Sequence, residues 1–231
     1  MRIHSKTRLL AGALRVMDTM SCDRIPYETD VNGRTIVVLP DVFSPAYFTD
    51  TAFFALRLPR IVEQRSFLEI GVGTGAIALE VRLNMAKRVT GTDVNPTAVL
   101  NTKMNFRRYH RCISVREGDV FSPLRRDEKF DVIFWNHPYH NVPHKPQSLL
   151  QRSGLDRKYA GLEKYFRGAK AHLAPGGELL LGTSNIARLR DIYGLGEKYG
   201  YSRKLLVRER ALFAHRSKQE IDLRIYSFKP L

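Results

Sequence analysis

The segment FLEIGVGTGAIAL at positions 67–79 constrains this chain more than any other. It is an apolar run, then three alternating glycines, then a second apolar run. Read in order, these are a strand, a tight turn and a helix, the unit that lays a nucleotide-like ligand across strand ends in an open α/β sheet. Gly71, Gly73 and Gly75 suit positive φ in the turn, close backbone approach to a ligand, and close strand–helix packing. A plain structural turn would use the same glycines for geometry alone. The spacing separates two ligand classes. A dinucleotide site calls for G-x-G-x-x-G with bare amides toward a pyrophosphate, whereas here the third glycine stands two residues after the second and Glu69 sits inside the motif. An acid suits a cation, so the expected ligand is S-adenosylmethionine, with its sulfonium and ammonium groups, rather than NAD.

The following residues extend the pattern. VTGTD at 89–93 is a second short strand ending in an acid, and Asn95-Pro96 then starts a helix-like run over 97–107. Asp93 lies where a doubly wound sheet puts the carboxylate that accepts from ribose hydroxyls; a helix cap is its other reading. ISVR at 113–116 is a third strand leading to Gly118-Asp119, where Asp119 or its neighbouring amide can pair with an adenine edge. FDVIFW at 130–135 is a fourth strand, and it runs directly into Asn136-His137-Pro138-Tyr139.

With that tetrapeptide the chain resembles the class I S-adenosylmethionine-dependent methyltransferases of the small-domain group, among them release-factor glutamine methyltransferases and base-amine methyltransferases of RNA and DNA. Those enzymes carry Asn-Pro-Pro-Tyr here, so Asn136, Pro138 and Tyr139 match and His137 does not. The resemblance also takes in PDVFSP at 40–45 with Asp50-Thr51, and LAPGGELLL at 173–181, and so spans most of residues 38–185. It implies S-adenosylmethionine held by Glu69, Gly71, Gly73, Gly75, Asp93, Asp119 and Asn136, with Asn136, Tyr139 and His137 at the reacting group. The implied acceptor is a planar nitrogen in a small molecule, a nucleic acid or a protein amide.

Chemistry gives the tetrapeptide a use. In an amide or aromatic amine the nitrogen lone pair is delocalised, so acceptors must draw it out of plane before it can attack a methyl sulfonium. The Asn136 side-chain oxygen and the His137 carbonyl could each accept an N–H while the Tyr139 ring stacks on the planar group. Such preorganisation removes on the order of 7–11 kcal/mol of barrier in favourable cases. Alternatively, Asn136 and Pro138 only end the strand and Tyr139 packs in the core. His137, His140 and His144 are not read as a metal site, because Pro138 and Pro143 keep them off a continuous helix. A substrate-facing loop, with His140 or His137 as a proton acceptor near neutral pH, is one expectation; a solvated polar loop is the other.

The expected architecture is a Rossmann-like seven-stranded sheet with helices on both faces and an antiparallel last strand. An N-terminal cap segment, residues 1–45, precedes an S-adenosylmethionine-binding domain, residues 46–231. In the cap, a helix is expected over 5–20 and a hairpin over 24–39, because Asn32-Gly33 is a preferred two-residue turn. Release-factor methyltransferases place a larger helical substrate domain there, and the segment is too short for one. Phe43, Tyr47, Phe48 and Thr51 are candidates for lining the pocket or for core packing. Further on, helices are expected from Tyr159 to Leu173 and from Ile186 to Lys198. Strands are expected at 178–181, 201–207 and 221–228. Cys22 and Cys112 have no paired spacing, no apolar run approaches a membrane span, and MRIHS at 1–5 does not read as a leader; a cytoplasmic setting is expected.

Thirty-eight Lys and Arg against 23 Asp and Glu give a formal charge of +15, which draws polyanions and makes RNA a candidate partner. The densest basic cluster, Arg203, Lys204, Arg208, Arg210, Arg216 and Lys218, lies far in sequence from the tetrapeptide. Two other readings stay open. One is a cyclase in which the cofactor's own amine attacks its Cγ, giving azetidine-2-carboxylate and methylthioadenosine, as in enzymes similar to methyltransferases in fold. The other is an RNA-binding scaffold without catalysis.

Overall fold

The computed structural model describes residues 3–231, with side chains from Lys6 onward; residues 1 and 2, at the start of the segment read for a leader, lie outside them. Helix α1 (Ile3–Met20) and the hairpin of β1 (Tyr27–Val31) and β2 (Arg34–Val38) come first. They are followed by α2 (Asp50–Val62), β3 (Ser66–Ile70), α3 (Ala76–Leu83), β4 (Arg88–Asp93), α4 (Pro96–Arg108) and β5 (Ser114–Glu117). The chain continues with β6 (Phe130–Asn136), β7 (His140–Val142), α5 (Leu149–Arg152), β8 (Leu155–Arg157) and α6 (Ala160–Ala169). It ends with β9 (Leu173–Ser184), α7 (Leu189–Lys198), β10 (Tyr201–Leu212) and β11 (Glu220–Pro230).

Seven strands form one sheet in the order β10-β11-β9-β6-β3-β4-β5. β3 pairs in parallel with β4 and β6, β4 with β5, and β6 with β9, while β11 runs antiparallel to both β9 and β10. The expected doubly wound sheet with a reversed last strand is thus present. From β3 the chain winds outward to β5 and then returns to the opposite side of β3 as β6, so the order reverses between β3 and β6. A crevice opens at the carboxyl ends of the strands at that point.

Helices cover both faces, so the central strands are apolar almost throughout. Side chains alternate between faces with period two. Phe67, Val132, Phe134 and Leu180 pack with Phe54, Leu58, Leu79 and Phe106 of the α2–α4 face. Their neighbours Leu68, Ile133, Trp135 and Leu181 pack with Leu162, Tyr165, Phe166 and Ile192 on the α6–α7 face.

The hairpin turns at Asn32 (φ 55°) and Gly33 (φ 82°), as the Asn-Gly pair demands. Two fully buried asparagines of α4 dock it. Asn101 accepts from the Leu39 N–H at 2.8 Å and donates to the Val37 carbonyl at 2.8 Å. Asn105 accepts from the Val37 N–H at 2.9 Å and donates to the carbonyls of Val37 and Thr74, so one amide joins the hairpin to the glycine turn. Asn95 caps α4 through the Thr97 N–H, with Pro96 in the first turn, as expected.

Several elements differ from expectation. β9 begins at Leu173, not at 178, because Pro175, Gly176 and Gly177 form an irregularity within the strand; Phe130 pairs with Leu173 and Val132 with Glu178. β10 extends to Leu212 rather than 207, and α7 begins at Leu189 rather than 186. The parallel pair β7–β8 and the short α5 between them were not expected. Cys22 and Cys112 are exposed and free.

Asn105→Ala should orphan the half-buried Val37 N–H and the buried Thr74 carbonyl and lower unfolding stability by about 1–3 kcal/mol. Denaturant unfolding measures this, and a loss no larger than that of an exposed α4 substitution such as Lys103→Ala would contradict the docking role.

Candidate active site

A cavity of about 490 Å³ lies at the strand ends where the sheet order reverses, with walls from the glycine turn, the end of β4, the segment after β5, and Trp135 to His140. Its volume is that of a small-molecule site. Gly71, Gly73 and Gly75 all have positive φ, at 64°, 57° and 79°. A Cβ on Gly75 would meet Thr102 at 2.9 Å, so this glycine allows close packing of the turn on α4. A Cβ on Gly73 would meet nothing within 4 Å and would stand in open space in the cavity wall.

Glu69 is 2% exposed and points to the α2–α4 face, in register with Phe134. Its Oε2 has no partner within the protein. Burial pushes its carboxyl well above the usual range, against an opposing backbone hydrogen bond from Ala78, and the nearby Asp93 raises it further. Asp93 closes β4 and is held from two sides: Oδ2 accepts from the Gly73 N–H and Oδ1 from the Asn95 N–H, both at 2.9 Å. Burial nevertheless leaves its pKa raised. Asp93 therefore fastens the glycine turn to the start of α4 while lining the cavity. Asp119 lines it too, but its carboxylate pairs with Arg152 and Lys164.

Asn136 ends β6 on the same face as Phe134, and Asp50 opens α2, the helix covering that face. Their meeting follows from strand parity. The Asn136 amide donates through Nδ2 to Asp50 Oδ2 at 2.9 Å. Its Oδ1 accepts from the Tyr139 hydroxyl at 2.8 Å, and that hydroxyl also lies 3.2 Å from Asp50 Oδ2. Asp50 Oδ1 accepts from the Thr51 N–H. Burial raises the Asp50 pKa against these hydrogen bonds. Burial likewise raises that of Tyr139, with the Asp50 charge adding to it. Sequence reasoning quoted Asp50 only as part of the upstream pattern and missed its contact; the pairing of a helix-start acid with a strand-end amide has no local signal.

Both histidines expected as proton acceptors are buried. His137 is 1% exposed, bonded through Nε2 to Thr183 Oγ1 at 2.9 Å, with edge contacts to Trp135, Tyr139 and Tyr159. Its Nδ1 has no partner within the protein. Burial depresses its pKa to about 3 and that of His140 to about 4, where the Lys6 charge adds to the effect. Both rings are neutral and weakly basic at neutral pH. His144 is exposed. Among the described residues no group of three or more His, Cys, Asp and Glu is arranged to hold a metal ion, and no helix is long and apolar enough to cross a membrane.

Phe43, Phe48 and Thr51 line the cavity, the two rings stacked at 5.0 Å. Tyr47 instead donates to Asp23. In the C-terminal basic cluster, Arg208 pairs with Asp222 and Arg203 lies over the Tyr193 ring at 3.6 Å. The cations that reach the cavity are Lys145, Arg152, Arg157 and Lys164, from the segment after the tetrapeptide. Asp156, also in the wall, is held by the Gly161 and Leu162 N–H groups at the start of α6.

Comparison with known proteins agrees with this geometry. A release factor glutamine methyltransferase of Geobacter sulfurreducens is 29% identical over 181 residues, covering 73% of this chain and 62% of that protein. A ribosomal RNA small subunit methyltransferase C of Mannheimia succiniciproducens is 30% identical over 176 residues, covering 75% of this chain and 48% of that one. The chain thus spans about half to three fifths of the length of these curated relatives. Among solved structures, a T. thermophilus 16S rRNA N2 G1207 methyltransferase in complex with AdoMet and guanosine shares the fold, with a TM-score of 0.62 at 19% identity over 89% of this chain and 50% of that one. The family model described as methyltransferase small domain matches residues 33–210, which is more than half of the sequence, and the chain belongs to the methyltransferase small-domain family.

Proposed function

We propose that this protein binds S-adenosylmethionine in the cavity and methylates a planar nitrogen. The observation that carries the reading is the hydrogen-bonded cluster of Asp50, Asn136 and Tyr139 in a cavity shared with Glu69. The residues present fit the cofactor. The unpartnered Glu69 Oε2 is a buried acceptor awaiting a cationic or N–H-bearing group, and the open space at Gly73 admits a ligand against the backbone. Each Asp93 oxygen already accepts one N–H and keeps a lone pair for a hydroxyl. The Asp119 carboxylate is engaged by Arg152 and Lys164 and its backbone N–H and carbonyl by Ser122, so the adenine edge falls to the neighbouring Val120 amide in the same wall.

S-adenosylmethionine supplies an electrophilic methyl group on a sulfonium when bound. The protein's part is orientation. Asp50 takes the Asn136 amide N–H, which turns Oδ1 away from Asp50; Tyr139 uses one lone pair of that oxygen and leaves the other for an acceptor N–H. The Tyr139 ring offers a planar face in the same wall. His137 supports Tyr139 and Trp135 from behind as a neutral ring, and its role is positioning. The relatives named above act on glutamine and on ribosomal RNA, and both groups present a delocalised nitrogen.

Asn136→Ala should keep cofactor affinity and lower turnover about a hundredfold, whereas Asp93→Ala should weaken binding by about 10- to 100-fold. Trp135, the single tryptophan of the chain, borders Gly71 at 3.0 Å from a Cβ built there and can report binding by fluorescence. Equal loss of affinity in both variants would overturn this division. Mass spectrometry of the product tests the chemistry: a methyl on oxygen, carbon or sulfur would sink the nitrogen reading, and methylthioadenosine formed from S-adenosylmethionine alone would replace it with cofactor cyclisation.

The pKa directions give two further expectations. Glu69 has a raised pKa without a ligand, and a cation favours its carboxylate, so binding releases a proton. Affinity should therefore strengthen as pH rises through that raised range and then level off; Glu69→Gln should weaken binding and reduce this slope. A slope unchanged in Glu69→Gln would assign it elsewhere. Because His137 and His140 are neutral above about 4, His140→Gln should leave the pH profile of turnover unmoved around neutrality. A neutral-range limb that vanishes in this variant would restore His140 as a proton acceptor.

A further inference from the structure

α1 completes one wall of the cavity. Its stripe of Leu9, Ala13, Met17 and Met20 is buried in a cluster with Phe48, Leu150, Ile186, Phe213 and Ile221, and Phe43 and Tyr139 pack against that cluster. Ala13, Met17, Phe43, Phe48, Phe213 and Ile221 all reach the cavity. Sheet topology fixes where. Because β11 runs antiparallel to β9, its start brings Ile221 to the carboxyl ends of β9 and β6, on the side of β6 away from β4. The cavity therefore has a polar half at the ends of β3 and β4, with Glu69 and Asp93, and an apolar half beyond β6. Asn136 and Tyr139 stand between them.

The helix is fastened along its length. Lys6 Nζ donates to the Ala187 carbonyl at 2.9 Å. Near the other end, a Cβ built on Gly154 would stand 2.0 Å from Met17 Cε, so the end of the methionine side chain packs directly on the glycine backbone. These contacts hold an apolar helix over the compartment that Asn136 and Tyr139 face.

We infer that this apolar compartment is the acceptor site, and that the acceptor is a small free molecule with an apolar body carrying the planar nitrogen. This rests on the proposed nitrogen methylation. A base of an RNA or a glutamine of a folded protein stays attached to its chain, and the half of the cavity beside Asn136 and Tyr139 is walled from α1 by apolar side chains. A phosphate backbone also needs cations beside the acceptor. The six wall residues named above carry no charge, and of the four cations on the cavity, Arg152 and Lys164 are bonded to Asp119. An apolar compartment of fixed shape suits discrimination by fit, where each methylene of the acceptor alters binding by about 10- to 200-fold.

The test combines the full-length protein, S-adenosylmethionine labelled in its methyl group, and a cell extract divided into small-molecule, RNA and protein fractions. Label is expected in the small-molecule fraction, on a compound with an apolar body. Label in RNA or protein overturns the inference. Locating the methyl in the product separates this from the parent reading: a small O-methylated product sinks nitrogen methylation and spares the compartment, while a large N-methylated product does the reverse. Ala13→Phe fills the compartment from α1 and should lower kcat/KM for the labelled compound at least about tenfold, with S-adenosylmethionine affinity, read from Trp135 fluorescence, unchanged. Ala13→Val is the milder variant should the phenylalanine lower the melting temperature, and its loss should be smaller but in the same direction. Wild-type kcat/KM in a variant that retains its melting temperature also overturns the inference.

Discussion

Both faces of β3 and β6 are covered by helices, and this burial decides where polar chemistry can stand. A polar side chain entering either strand must be completed by something outside it. Glu69 and Asn136 are such residues, and parity puts them on one face: Glu69 is in register with Phe134, two residues before Asn136. The helix over that face begins with Asp50. Residues 50, 69 and 136 thus gather at one end of one face because the strands alternate and the sheet order reverses beside them. The cavity is the place where the alternation runs out of apolar partners.

The two central polar groups are treated unequally. Asn136 has both ends of its amide engaged within the protein, and its orientation is therefore fixed before any ligand arrives. Glu69 keeps one oxygen unpartnered, a state that costs about 1–3 kcal/mol and is relieved by a ligand carrying positive charge. Under the proposed function, preorganisation of the amide and frustration of the acid serve different ends: the first lowers the reorganisation needed at the acceptor, the second makes binding and folding stability rise together. His137 carries a similar cost at Nδ1, and in return its ring makes edge contacts with Trp135, Tyr139 and Tyr159.

How much of this was legible in the sequence depends on the range of the interaction. Positive-φ glycines, the Asn-Gly hairpin turn and the Asn95-Pro96 helix start are local, and each stands where its residue types demand. The apolar runs of β3 and β6 were legible because both faces are buried. β7 and β8 were not: three residues are too few for a period, and their pairing spans a loop that itself contains a helix. β9 was cut short in reading because Pro175-Gly176-Gly177 has turn composition, yet the strand absorbs it as an irregularity. The Asp50–Asn136 contact joins residues 86 apart. The proton-accepting role read for His137 turns on burial instead. A histidine beside a reactive tetrapeptide looks titratable in sequence, and only the packing reveals that burial lowers its pKa.

Net charge shows the same limit from the electrostatic side. The chain carries +15, which would disfavour a cationic ligand if the molecule acted as one uniform sphere. Screening confines the field of exposed charges to about 8 Å at physiological ionic strength, so the groups that decide binding are those lining the cavity. There Asp50, Glu69, Asp93 and Asp156 supply acids in the wall, and of the four exposed cations of the 145–164 segment that reach it, Arg152 and Lys164 are paired with Asp119. The basic count is dispersed over surfaces and internal pairs such as Arg208–Asp222 and Arg65–Glu178. An acidic interior within a basic exterior selects its ligand by short-range contact, and the excess of Lys and Arg bears on solubility and on polyanions met at the surface rather than on what enters the cavity.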